Sequence, residues 1–158
     1  MAAGSDEHPA QILRYVARFD RREYWLAHEE LEELWLIDRR DFFKGLIQVA
    51  AAFLHVERQN WRGARRLMKT SLQYLEAVPD SYEGFDVAAV RCHVSEALRC
   101  VEDLIAGARA RFDDEFAFSM ASLFAGAIGD QAVAESDLPY RVRRYDNGYR
   151  PAGRARER

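Results

Sequence analysis

The stretch HEELEELW, residues 28–35, contains an imidazole and carboxylates at a spacing that could bind a metal ion. His28 and Glu32 are four residues apart, so on a helix they lie on one face, about one turn apart. Imidazole and carboxylate ligands together suit zinc, iron or manganese. The stretch lacks the second histidine of the zincin HExxH motif and the paired ExxH motifs of di-iron bundles. The same letters are also typical of an acidic amphipathic helix.

A helical projection places this histidine and glutamate between two tryptophans. Successive helical residues turn by about 100°, so Glu32 falls about 20° from Trp25 and His28 about 60° from it. Trp35 follows at about 80° on the same side. The projection therefore puts His28 and Glu32 on the apolar face of the second helix.

The position of the charged Glu32 on an apolar helix face requires an explanation. A carboxylate inside an apolar stripe is costly unless it is paired or neutralised. Glu30 and Glu33 fall on the opposite side of the projection and are predicted to face solvent. Glu32 is therefore predicted to have a polar partner on a neighbouring helix.

The third predicted helix offers candidate partners. It is apolar nearly all round, which indicates a central buried helix. Its few polar side chains, Lys44, Gln48 and His55, fall within about 40° of one another. We expect Gln48 and His55 to face His28 and Glu32. The candidate ligand-binding residues are Trp25, His28, Glu32, Trp35, Gln48 and His55.

Three interpretations of this cluster stay open. The first is a buried hydrogen-bonded network that fixes the register of two core helices. The second is a small-ligand pocket walled by Trp25 and Trp35, since bundle interiors often hold such pockets. The third is a metal site formed by His28, Glu32 and His55, the basis of a metal-dependent hydrolase. No cofactor is predicted, because the chain contains no glycine-rich phosphate loop and no nucleophile elbow.

Helical periodicity dominates the chain, and no window shows sustained strand-like alternation. The fold class is therefore all-α, a compact bundle of five or six helices whose short connections favour antiparallel neighbours. We expect one helical domain over 8–130 and a basic, largely irregular tail over 131–158. The expected helices are Pro9 through Phe19, about 22–37, about 41–57, about 61–77, Asp86 through Ala106, and a sixth from Asp113 or Asp114 to Gly129.

The composition is that of a soluble globular protein, with 49% apolar and 31% charged residues among 158. No run approaches the roughly 18 apolar residues of a membrane helix, so we expect no membrane partner. The first residues lack the pattern of a secretory signal, which favours a cytoplasmic location. Cys92 and Cys100 would lie roughly 12 Å apart along one helix, too far for a disulfide, and are predicted to be free thiols.

The charge is distributed unevenly along the chain. From Leu138 onward there are seven arginines against two acidic residues, a net charge of +5. The whole chain carries −3, so the preceding residues carry −8. Tyrosines interleave with these arginines in the segment 139–158, a pattern that suits single-stranded nucleic acid. Binding of nucleic acid is therefore expected only through the tail. The other interpretation of the tail is a terminus that keeps the protein soluble.

The function that these patterns favour is a non-catalytic helical binding or scaffold domain that acts through a protein or small-molecule partner. A homo-oligomer is one of the assemblies that the sequence allows. The alternatives are the metal-dependent hydrolase and nucleic-acid binding through the tail.

Three runs in order resemble a known family. They are EYWLAHEELEELW (23–35), FFKGLIQVAAAFLH (42–55) and QNWRGARRLM (59–68). Together they resemble the helical family catalogued as domain of unknown function, number 309, over roughly residues 12–77. The resemblance implies a compact helical bundle and no particular activity. The last forty or so residues look like an addition to it.

Overall fold

The computed structural model describes residues 8–125, which form the all-α bundle that the sequence predicts. A short antiparallel hairpin of two strands precedes the last long helix and pairs Ser81 with Asp86. The elements are α1 (Ala10–Asp20), α2 (Tyr24–Trp35), α3 (Asp41–Glu57), α4 (Trp61–Leu75), β1 (Ser81–Tyr82), β2 (Phe85–Asp86) and α5 (Val87–Ile105).

Local signals fix where several helices begin and end. The side chain of Asn60 accepts a hydrogen bond from the Gly63 amide at 3.1 Å, and so caps α4. Asp86 caps α5 in the same way through the Ala89 amide, at 3.0 Å. Gln59, just after α3, has a φ of 56°, the left-handed conformation that commonly terminates a helix. The sequence also predicts that the fifth helix begins at Asp86.

The third helix is the centre of the bundle. It packs against α2 on one side and most extensively against α4 on the other. Gly45 is needed for the second contact, because a Cβ at this position would lie only 2.6 Å from Cδ2 of Leu75. Each helix packs against the next one along the chain, and the connections are short turns except between α4 and α5, where the hairpin intervenes. The core includes the buried residues Trp25, Phe43, Leu46, Ile47, Ala50, Phe53 and Leu54, whereas Trp35 and Leu67 are half-buried.

The predicted sixth helix is wrong for the part that the structure describes. Residues 113–125 contain two short 3-10 turns, Asp114–Phe116 and Ala121–Leu123, joined by extended chain. The carboxylate of Asp20 accepts hydrogen bonds from the Met120 amide at 2.6 Å and the Ser119 hydroxyl at 2.7 Å. These long-range bonds replace the local ladder that a helix would have needed. The aromatic side chains of this segment pack against the core of the bundle instead.

Within residues 8–125, no helix is both long and apolar enough to cross a bilayer. Cys92 and Cys100 are free thiols, the first exposed and the second buried, as predicted. The basic tail predicted for 131–158 lies outside the described residues.

Candidate functional site

The middle of α2 brings one imidazole and two carboxylates together. Ligand atoms of His28, Glu29 and Glu32 all lie within 4.8 Å of one another. All three side chains are half-buried. The i, i+4 spacing of His28 and Glu32 therefore places them side by side, as predicted, and Glu29 joins them from the adjacent position on the helix.

The imidazole of His28 is held by an aromatic platform. It stacks on the Trp25 indole with the ring centroids 4.3 Å apart and the planes inclined by 17°. Trp25 is only 6% exposed, so the platform belongs to the core. Nδ1 of His28 is buried and has no hydrogen-bond partner among residues 8–125. The ring is thus fixed in place and keeps an unsatisfied nitrogen.

The environment of His28 favours the neutral imidazole. Burial and, to a smaller extent, the nearby ammonium of Lys44 together lower the pKa of His28 to about 4. At neutral pH the ring therefore carries no proton on one of its two nitrogens, and that nitrogen can donate a lone pair.

This pKa makes stability depend on pH, and the sign follows from proton binding. In the unfolded chain the histidine has a pKa near 6.5 and binds a proton as the pH falls below that value. In the folded protein His28 binds this proton only as the pH approaches about 4. We expect His28 to lower the free energy of unfolding by about 3 kcal/mol as the pH falls through this window. The measurement is chemical denaturation at a series of pH values with a chelator present, for wild type and His28→Gln. Equal pH dependence in the two proteins would contradict the prediction.

A second group of residues lies at the end of α2. The Arg39 guanidinium and the Lys44 ammonium both lie over the Trp35 ring, 4.3 Å and 4.5 Å from its centroid. The next two residues, Leu36 and Ile37, are 61% and 80% exposed. We call Trp35, Leu36, Ile37, Arg39 and Lys44 the α2-end surface.

The expectation that Gln48 and His55 face His28 and Glu32 is wrong for Gln48. The Gln48 carbonyl oxygen accepts a hydrogen bond from the Thr70 hydroxyl on α4. The side chain of His55, near the C-terminal end of α3, lies beside the start of α4, with Nδ1 2.9 Å from Nδ2 of Asn60, and is not part of the cluster with His28. A helical projection groups residues on one face, but it does not say which neighbouring helix that face meets.

The prediction for Glu30 is also wrong. This glutamate is 0% exposed, and its Oε1 accepts a hydrogen bond from Nε of Arg14 on α1 at 2.9 Å. The projection treated the side of α2 opposite the tryptophans as solvent, whereas α1 packs against α2 there. A basic residue within the apolar repeat of the first helix was the signal that could have indicated a buried pair. Glu33, by contrast, is exposed, as predicted.

A cavity beside the hairpin lies away from the cluster. It measures about 560 Å³ and is formed by the hairpin and by residues 122–125. Two smaller cavities, of about 230 and 320 Å³, adjoin the 3-10 turns and α5. The residues that line these three cavities do not include any of the six candidates from the sequence.

Comparison with known proteins places the cluster within a family segment. Residues 12–67 match the family model described as a domain of unknown function, DUF309. An uncharacterised protein of Bacillus subtilis (strain 168), YpuF, is 40% identical over 75 residues, which is 44% of this chain and 43% of that protein. An uncharacterised protein of Aquifex aeolicus (strain VF5) is 26% identical over 80 residues, 48% of this chain and 24% of that protein.

The chain thus spans less than half the length of each of these relatives. The matched segment includes α2, α3 and the first half of α4, and so all of His28, Glu29 and Glu32. The match over residues 12–67 confirms the resemblance inferred from the three sequence runs.

Proposed function

We propose that this chain is a non-catalytic helical binding domain of the cytoplasm that engages a protein partner through the α2-end surface. The observation that supports the proposal most directly is the exposure of Leu36 and Ile37, at 61% and 80%. They are the exposed large apolar side chains of residues 8–125.

The position of these two residues matters more than their exposure. Single apolar residues on a surface are ordinary and need no explanation. Here two consecutive ones directly follow the half-buried Trp35 in the chain, and we call these three residues the apolar patch. Tryptophan and arginine are the residue types that most often dominate the energy of protein interfaces.

The charges around the patch indicate the chemistry of the partner. Arg39 and Lys44 both contact the Trp35 ring, so two positive charges border the apolar residues. An acidic segment with a large apolar side chain would complement both features. Asp38 and Asp41 border the same surface, which disfavours a nucleic-acid backbone or an anionic bilayer as the partner. A second copy of the acidic chain, giving a homo-oligomer, is one partner of this kind.

The other functions expected from the sequence have less support. A hydrolase built on His28, Glu32 and His55 needs the three side chains side by side. The His55 side chain instead lies beside Asn60, at the start of α4. A small-ligand pocket can still be formed with Trp25, His28 and Glu32 as candidate residues. Gln48 is no longer a candidate, because its side chain is hydrogen-bonded to Thr70. Nucleic-acid binding through 139–158 falls outside the described residues.

The test compares wild type with Ile37→Asp and Arg39→Glu by quantitative affinity purification and by sedimentation velocity. We expect both variants to lose bound protein or self-association, while their unfolding free energy changes by no more than about 0.5 kcal/mol, as for other surface changes. Ala77→Asp and Arg62→Glu, at exposed positions elsewhere, serve as matched controls. If the wild type and Ile37→Asp retain the same proteins and sediment alike, the α2-end surface is not the binding surface.

A further inference from the structure

We propose that His28, Glu29 and Glu32 form a binding site for one divalent transition-metal ion of the zinc class. The site uses three side chains of one helix, and none of the three belongs to the α2-end surface. It differs from the site expected from the sequence, because Glu29 replaces His55 as the third ligand.

The distances suit a single ion. Zinc binds nitrogen and oxygen ligands at about 2.0–2.2 Å, which puts neighbouring ligand atoms roughly 3.5 Å apart in a tetrahedron. The ligand atoms of the three residues already lie within 4.8 Å of one another. Rotation of the two glutamate side chains about their own bonds can close the remaining difference, so the helix does not need to move. Water would complete the coordination sphere.

The ligand types determine which ions fit. One imidazole nitrogen and two carboxylates suit zinc, manganese or iron. Magnesium and calcium prefer oxygen ligands throughout, so they should bind more weakly. Two carboxylates also match the charge of a divalent ion.

A second observation, independent of the carboxylates, also indicates a ligand. Nδ1 of His28 is buried and has no hydrogen-bond partner among residues 8–125. Buried polar atoms are nearly always satisfied, so one that is not requires an explanation. A metal ion bound through Nδ1 would supply the missing partner.

The surroundings of the ring prepare it for this role. The Trp25 indole, 4.3 Å away, fixes the plane of the ring. The ammonium of Lys44 is held over the Trp35 ring and opposes the incoming charge, which should keep the affinity moderate.

The experiment is isothermal titration calorimetry of the chelator-treated full chain with zinc chloride, repeated with manganese and magnesium chloride. We expect one equivalent of zinc to bind, and His28→Gln and Glu32→Gln each to weaken binding at least about tenfold. Glu33→Gln, at an exposed position on the same helix, and His55→Gln are the matched controls and should bind as wild type. Because Trp25 stacks on the ligand, nickel or copper should quench its fluorescence in wild type and not in His28→Gln.

Circular dichroism of each variant shows whether it has folded. If His28→Gln fails to fold, Glu29→Gln, at a half-buried position on the same face, replaces it in the test. This variant should likewise weaken zinc binding at least about tenfold. The proposal is overturned if wild type binds no zinc. It is equally overturned if the ligand variants bind as tightly as Glu33→Gln, or if His55→Gln loses as much affinity as His28→Gln.

Discussion

Phe53→Ala is expected to lower the free energy of unfolding by about 3–5 kcal/mol, the range for a buried aromatic side chain. Phe53 is 2% exposed and lies at the junction of several elements. Its ring centroid is 5.8 Å from that of Phe19 on α1 and 5.7 Å from that of Tyr24 on α2. It is also 5.7 Å from Phe118 in the segment that follows α5. Removing the ring would leave a cavity that four parts of the chain would have to fill together.

Urea denaturation monitored by circular dichroism measures this loss. Phe53→Leu keeps most of the volume and should cost less than the alanine variant. Phe116→Ala, at a half-buried position in the first 3-10 turn, is the matched aromatic control and should also cost less. A loss below about 1 kcal/mol for Phe53→Ala would mean that the junction can collapse around the cavity.

Glu30→Ala is expected to cost about 3 kcal/mol, because it leaves the charge of Arg14 without its partner in a partly buried position. Glu30 is 0% exposed and Arg14 is 21% exposed, so the arginine keeps only limited access to water. The pair joins α1 to α2, and its loss should loosen that contact specifically.

The double variant Arg14→Met with Glu30→Leu separates the pair from its parts. Replacing both members of a buried ion pair with apolar residues is often neutral or stabilising, so the double variant should recover most of the loss. Glu33→Ala, three residues further along at an exposed position, should change stability by no more than about 0.5 kcal/mol. If Glu30→Ala resembles Glu33→Ala, the pair contributes nothing measurable.

The helices were predictable because their signals are local. Helical spacing of apolar residues, together with capping by Asn60 and Asp86, gave five helices close to their observed bounds. The segment after α5 was not predictable in the same way. Its conformation depends on Asp20, and nothing in the nearby sequence points to that residue.

The candidate site was predictable only within one helix. The neighbourhood of His28, Glu32 and Trp25 follows from residue spacing on α2, and the structure keeps it. Contacts between helices depend on how each is rotated about its own axis. Because of this rotation, Gln48 faces α4 and Glu30 is buried against α1. A projection of a single helix carries no information about how that helix is rotated relative to its neighbours.

The carboxylate of Asp20 has a consequence for the order in which the chain folds. Helices α1 to α5 make most of their contacts with sequence neighbours, and such local contacts form early and quickly. The bond from the Met120 amide to Asp20 joins residues 100 positions apart, and so requires the closure of a long loop. The segment 112–125 is therefore the natural last step of folding. By the same reasoning it is the first part of the described chain to open, which would expose the aromatic residues Phe19 and Phe53 beneath Phe118 while the helices stay intact.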